Sequence, residues 1–212
     1  AIKQNTRFAG VKPYYDLLGK SNYQTTMPEF IPQDLLTFMN QERLVLMLHT
    51  SGTGMNELKS QTFVRSVAET YPNIKIILAH MGRYLQVQDF MDFFRTDILD
   101  YPSIFLDCSS ASRVEVYDAV LSKRDIWSRL LFASDIPFAL ITGEEYWSPE
   151  TGPIFITRDT YRWSNQVLQE QFSHLGEKMT YNTYHVLKAV KDAFETLGLL
   201  PADARELKEM FF

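Results

Sequence analysis

The chain contains a single cysteine, Cys108, among its 212 residues, which excludes a disulfide framework within the chain. This cysteine usage is typical of a reducing compartment, and residues 1–7 are polar and do not have the composition of a signal peptide. We therefore predict a cytoplasmic protein. No apolar run approaches the ~18 residues of a membrane span, so we expect no membrane partner.

Basic residues are outnumbered by acidic ones, with 21 Lys and Arg against 26 Asp and Glu, for a net charge of −5. The two signs are interspersed, and no basic stripe is present that could follow a nucleic-acid backbone. This pattern argues against a nucleic-acid-binding protein. With 45% hydrophobic residues the chain can bury a sizeable core, and we predict one domain over residues 1–212.

Residues 8–136 alternate apolar strand-like runs with helical patterns, at a spacing of about 25–35 residues that is typical of βαβ units. The predicted strands are residues 8–13, 44–49, 74–80, 104–107 and 130–135. Helices are predicted between them, among them residues 84–100 and 114–124. This alternation predicts an α/β fold with a parallel sheet, either in a barrel or in an open doubly wound sheet.

The pattern changes after the last of these strands. Residues 137–160 are rich in Gly and Pro, which predicts a long, lid-like connection. Residues 161–212 carry helical spacing, and we predict C-terminal helices near 161–175, 181–197 and 202–212.

Three of the apolar runs end on residues that can bind or work beside a metal ion: His49, His80 and Asp135. In parallel α/β folds, ligands and catalytic groups collect at the carboxyl ends of the strands. Each residue also has a structural interpretation, namely a buried histidine bonded to a carbonyl for either imidazole, and a helix cap for Asp135. The coincidence of three such strand ends favours a site.

Several further residues are candidates for substrate contacts. Arg83 could hold a substrate carboxylate with its planar fork, or form a salt bridge at a helix start. Lys12, at the end of the first run, could supply a cation or be a solvated lysine. Trp147 and Arg162 follow in the connection and the helical region. Asp107 ends the fourth strand and could face the site or cap the next turn.

Five segments, residues 10–14, 48–52, 77–83, 106–109 and 131–138, resemble the amidohydrolase-2 branch of the amidohydrolase superfamily, which includes aminocarboxymuconate-semialdehyde decarboxylase. The resemblance implies a (β/α)8 TIM barrel of which this chain has strands 4 to 8 and C-terminal helices. It also implies that His49 and Asp135 bind a divalent metal, with zinc favoured, while His80 and Asp135 are catalytic. The chain departs from the family because it has no His-x-His pair.

The resemblance implies a hydrolase that attacks a small amide, ester or lactone with metal-activated water. Two alternatives stay open: a metal-dependent, non-oxidative decarboxylase on the same scaffold, and a non-catalytic remnant. A partial barrel would leave two sheet edges unpaired, and association into a homo-oligomer is one way to cover them.

Overall fold

The computed structural model describes residues 8–148, 152–161, 164, 166–174 and 179–211. The chain forms two compact units. The N-terminal unit comprises Ala1–Asp107 and Ser128–Leu131, and the C-terminal unit comprises Cys108–Trp127 and Phe132–Phe212. The single domain predicted for residues 1–212 stays a prediction.

The N-terminal unit is built on a five-stranded parallel sheet whose strands neighbour one another in chain order. The strands are β1 (Gly10–Val11), β2 (Val45–Leu48), β3 (Lys75–Leu78), β4 (Ile104–Asp107) and β5 (Leu130–Leu131). The predicted α/β class with a parallel sheet is therefore confirmed.

Helices connect these strands. They are α1 (Met27–Phe30), α2 (Gln33–Glu42), α3 (Leu58–Thr70) and α4 (Val87–Phe94), with 3-10 turns at Asp16–Leu18, Asn22–Gln24, Ala79–Gly82 and Asp97–Asp100. A capping box between Thr26 and Glu29 starts α1. α3 ends before Tyr71, because the following Pro72 disfavours a helical conformation at the residue that precedes it.

The sheet is apolar on both faces. Along β2, Leu46 and Leu48 are fully buried, while Val45 and Met47 on the other face are half-buried. A parallel sheet needs helices over both faces, so both sets of side chains are hydrophobic.

The C-terminal unit combines helices with a β-hairpin. The helices are α5 (Val114–Leu121), α6 (Gln166–Gln171), α7 (Asn182–Thr196) and α8 (Pro201–Phe211), and the antiparallel strands are β6 (Gly143–Ser148) and β7 (Gly152–Thr157). α5 packs on α7. The buried hydroxyl of Tyr117 donates to the carbonyl of Ala111 at 2.8 Å and fixes the start of α5.

Several predicted boundaries were wrong. The 137–160 connection contains the β6–β7 hairpin. Pairing between its two strands forms the hairpin, whereas the Gly and Pro residues of this segment indicate a loop. The last strand of the sheet ends at Leu131 rather than at residue 135. The helix predicted over 84–100 is α4 plus a 3-10 turn. Within the described ranges, no helix combines the length and apolar character that crossing a membrane requires.

Candidate functional site

Polar residues lie at the carboxyl ends of four neighbouring strands in the N-terminal unit. Lys12 follows β1, His49 follows β2, His80 lies just beyond β3, and Asp107 is the last residue of β4. Because the strands are parallel, these ends share one edge of the sheet. This edge is the candidate site.

The structure brings two of the predicted site residues together. The imidazole rings of His49 and His80 lie 5.2 Å apart between centroids, with their planes at 73°. Two tyrosines that the sequence had not indicated as site residues also reach His49, with ring centroids at 5.3 Å for Tyr14 and 5.7 Å for Tyr15. Their position directly after a strand end was the available signal.

His49 is a neutral imidazole at physiological pH. Burial, reinforced by the positive charges of His80, Arg83 and Lys12, lowers its pKa to about 3. Its Nδ1 atom is buried and has no hydrogen-bond partner in the described structure. A buried polar atom of this kind is uncommon and calls for a ligand or an ordered water. Burial also raises the pKa of the neighbouring Tyr15, with Arg83 opposing it.

The turn that follows β3 has an unusual backbone. His80, Met81 and Arg83 have φ angles of 56°, 55° and 56°, and Gly82 between them has 80°. This left-handed region costs a residue with a side chain about 1–2 kcal/mol. Such conformations persist only where the surrounding structure fixes them, and they cluster at functional sites.

The loop that follows β2 holds this turn. The carbonyl of Gly82 accepts hydrogen bonds from the Thr50 hydroxyl and from the Met55 amide, both at 3.1 Å. Gly54 lies so close that a Cβ atom there would be 1.8 Å from the Arg83 carbonyl oxygen. The two loops are therefore tightly packed against each other.

Arg83 and Lys12 provide positive charge at the site. The Arg83 guanidinium donates to the carbonyls of Thr50 and Gly52, and its central carbon lies 5.9 Å from the ring of Tyr23. The exposed Lys12 places its ammonium 5.4 Å from the Tyr14 ring. Arg83 thus has a structural role in the β2 loop, and substrate binding by either residue stays a prediction.

Asp107 is a buried carboxylate with only 2% of its surface exposed. One of its oxygens accepts a hydrogen bond from the main-chain N–H of His80 at 3.0 Å. The sequence left open whether this residue faces the site or caps the following turn. The structure connects it to the backbone of His80.

The remaining predicted site residues come after the last strand of the parallel sheet in the chain. Asp135 belongs to the C-terminal unit, is half-buried and has a φ angle of 56°. The backbone of Trp147 is part of β6, paired with Pro153, but its side chain is outside the described structure. Arg162 is outside the described residues. The roles assigned to these three residues stay predictions.

The donor set can be compared with that of a catalytic zinc site, which generally has three protein ligands. His49 and His80 offer two imidazoles. The buried Nδ1 of His49, which has no hydrogen-bond partner in the described structure, could bind a metal ion. Within the described residues, no group of three or more His, Cys, Asp or Glu side chains converges on one point. The described pair is therefore short of a complete metal site.

No protein-family model matches the chain, and no curated protein matches it significantly. The solved structures that are similar to it include the following two. One is 4-oxalomesaconate hydratase, LigJ, from Rhodopseudomonas palustris, at 15% identity and a TM-score of 0.43, covering 92% of this chain. The other is amidohydrolase 2 from Bifidobacterium longum subsp. infantis, at 14% identity and a TM-score of 0.38, covering 76% of this chain. The chain spans 62% and 56% of their lengths. At these TM-scores neither similarity assigns a family.

Proposed function

We propose that this chain is part of a metal-dependent hydrolase of the amidohydrolase-2 type, built on a (β/α)8 barrel, with His49 and His80 in its active site. The observation that carries the proposal is the contact between the two imidazole rings at the carboxyl edge of a parallel sheet. Strand order adds support, because five strands in chain order match a barrel, whereas a doubly wound sheet reverses its order.

In this proposal His49 contributes one ligand of a divalent metal site, with zinc favoured, and Asp135 contributes another. Its low pKa keeps His49 neutral, which is the form that binds a metal. When bound, such an ion supplies Lewis acidity toward a substrate carbonyl. Asp135 would accept a proton from the attacking water, and His80 would polarise the substrate or shuttle a proton. Because the described pair gives two donors, the complete site needs further ligands, which in the family include a His-x-His pair.

The substrate that we propose is a small amide, ester or lactone that carries a negative charge. Lys12 and Arg83 both contribute positive potential at His49. Trp147 and Arg162 stay candidates for further substrate contacts. The alternative on the same scaffold, decarboxylation of an aromatic or unsaturated acid, uses the same histidines and the same positive charges.

Cobalt titration followed by absorption spectroscopy tests the metal-site proposal on the chain itself. We expect Co²⁺ binding that is lost in His49→Gln and Asp135→Asn and retained in His174→Gln, which alters an exposed histidine of the C-terminal unit. Binding that is equal in all four proteins, or absent from the unaltered chain, would contradict the proposal.

Turnover assays then separate the two reactions. Release of acid from anionic lactones, abolished by His80→Gln, supports the hydrolase, whereas release of CO₂ from hydroxybenzoates supports the decarboxylase. Light scattering on the same preparation tests the predicted homo-oligomer, and a monodisperse monomer would exclude it.

A further inference from the structure

We infer that Asp107 is a positioning residue that holds the backbone of His80 in its left-handed conformation and so places the His80 ring against His49. This inference rests on the proposed function only for the statement that the two rings form an active site. The contact itself is independent of the reaction. It joins the last residue of β4 to the second residue after β3.

Burial makes this carboxylate energetically significant. A carboxyl side chain with 2% exposure is costly unless donors compensate it, and the His80 amide is one of these donors at 3.0 Å. A hydrogen bond to a charged acceptor is stronger than one between neutral groups. Asp107 can therefore offset part of the cost of placing a histidine at a φ of 56°.

The geometry connects this bond to the imidazole. The φ angle describes rotation about the N–Cα bond, and fixing the His80 N–H direction fixes the peptide plane from which this rotation starts. The other end of the turn is held separately, at the Gly82 carbonyl, by Thr50 and Met55. His80 thus lies between two anchors, and Asp107 is the one on its amino side.

Hydrogen exchange at single amides in the unaltered chain and two variants tests this role. Asp107→Asn keeps an oxygen that can accept from His80, and Asp107→Ala removes it. We expect the His80 amide to be protected in the unaltered chain and in Asp107→Asn. In Asp107→Ala its exchange should accelerate by roughly tenfold or more. The amide of Ile76, which donates to Ser103 at 2.8 Å, is the internal control and should keep its protection.

Rapid exchange of His80 in the unaltered chain would overturn the inference, and this measurement requires no variant to fold. Equal loss of protection at His80 and Ile76 in Asp107→Ala would also overturn it, because the residue would then act through general stability. Selective loss in Asp107→Asn, despite its remaining acceptor, would do the same.

The cobalt titration distinguishes this inference from the proposed function. If the two rings form an active site, Asp107→Ala should lower turnover by roughly tenfold or more, while Asp107→Asn retains it. If the unaltered chain binds no Co²⁺, the proposed function fails. The exchange of the His80 amide still decides whether Asp107 positions that residue.

Discussion

The rings of His49 and His80 are in contact although the two residues follow different strands. β2 and β3 pair in parallel with Leu48 opposite Leu78, so the chain leaves both strands at the same level. His49 follows β2 directly, whereas His80 lies one residue further beyond β3 and enters a left-handed turn. The contact therefore depends on strand register and on the backbone conformation of that turn.

The backbone conformation of His80 predicts that a glycine variant at this position is more stable than an alanine variant, the reverse of the usual order. Glycine adopts a φ of 56° without the steric cost that a Cβ atom adds, so His80→Gly should be more stable than His80→Ala by about 1 kcal/mol. Urea unfolding of both variants measures the difference. At the exposed helical position Ser66 the order should reverse, with Ser66→Ala more stable than Ser66→Gly by about 1 kcal/mol. The same order at both positions would contradict the conformation described for His80.

The packing of the two loops predicts a severe effect of a single methyl group at Gly54. Its φ angle is 112°, and the new Cβ would overlap the Arg83 carbonyl oxygen at 1.8 Å. Gly54→Ala should lower the free energy of unfolding by roughly 2 kcal/mol or more, because strain and overlap combine. Gly19→Ala is the matched control, since Gly19 has a φ of 65° but open space around its Cα. It should cost only about 1 kcal/mol, and equal losses would argue against the close approach at Gly54.

The environment of Glu57, at the start of α3, predicts that the free energy of unfolding depends on pH. Burial raises the pKa of its carboxyl, but the Lys59 ammonium and the hydrogen bonds from Thr53 outweigh burial and lower the pKa overall below 4.5. The folded state therefore binds this proton less tightly than the unfolded state does. The stabilisation is present above pH 4.5 and is lost as the pH falls through the lower pKa of the folded state.

We therefore expect Glu57→Gln to be less stable than the unaltered chain at pH 7, with the difference shrinking as the pH falls below 4.5. Urea unfolding at several pH values measures it. Glu209→Gln, which alters an exposed residue of α8, should show no such convergence. A constant difference for Glu57→Gln across the pH range would be inconsistent with the hydrogen bonds described.

The contacts of Arg124 predict that this residue helps to hold α8 within the C-terminal unit. Its guanidinium pairs with Asp203 and Glu206 of α8 and lies 4.8 Å from the ring of Trp127. Arg124→Gln should accelerate hydrogen exchange in α8 and lower the free energy of unfolding by about 1 kcal/mol. Lys191→Gln removes one exposed pair with Glu195 on α7 and should cost only about 0.3 kcal/mol. Unchanged exchange in α8 would mean that apolar contacts alone hold it.

Strand ends were the part of the site that the sequence could predict. An apolar run such as residues 44–49 indicates a buried strand whatever surrounds it, and a histidine at its end is then placed at the carboxyl edge. Boundaries that depend on distant partners were less accurate. The strand at Leu130–Leu131 is short because only two of its residues pair with β4, and pairing is not visible in the residues themselves. The β6–β7 hairpin was not predicted, for the same reason.

Local sequence patterns predict the α/β alternation, the parallel sheet and the positions of His49 and His80 at strand ends, because burial imposes these patterns locally. The contact between the two rings, the left-handed backbone of His80 and the hydrogen bond from its amide to Asp107 are visible only in the folded chain. These features arise from contacts between residues far apart in the chain. Local propensity carries no information about such contacts, and for His80 it favours a different backbone conformation.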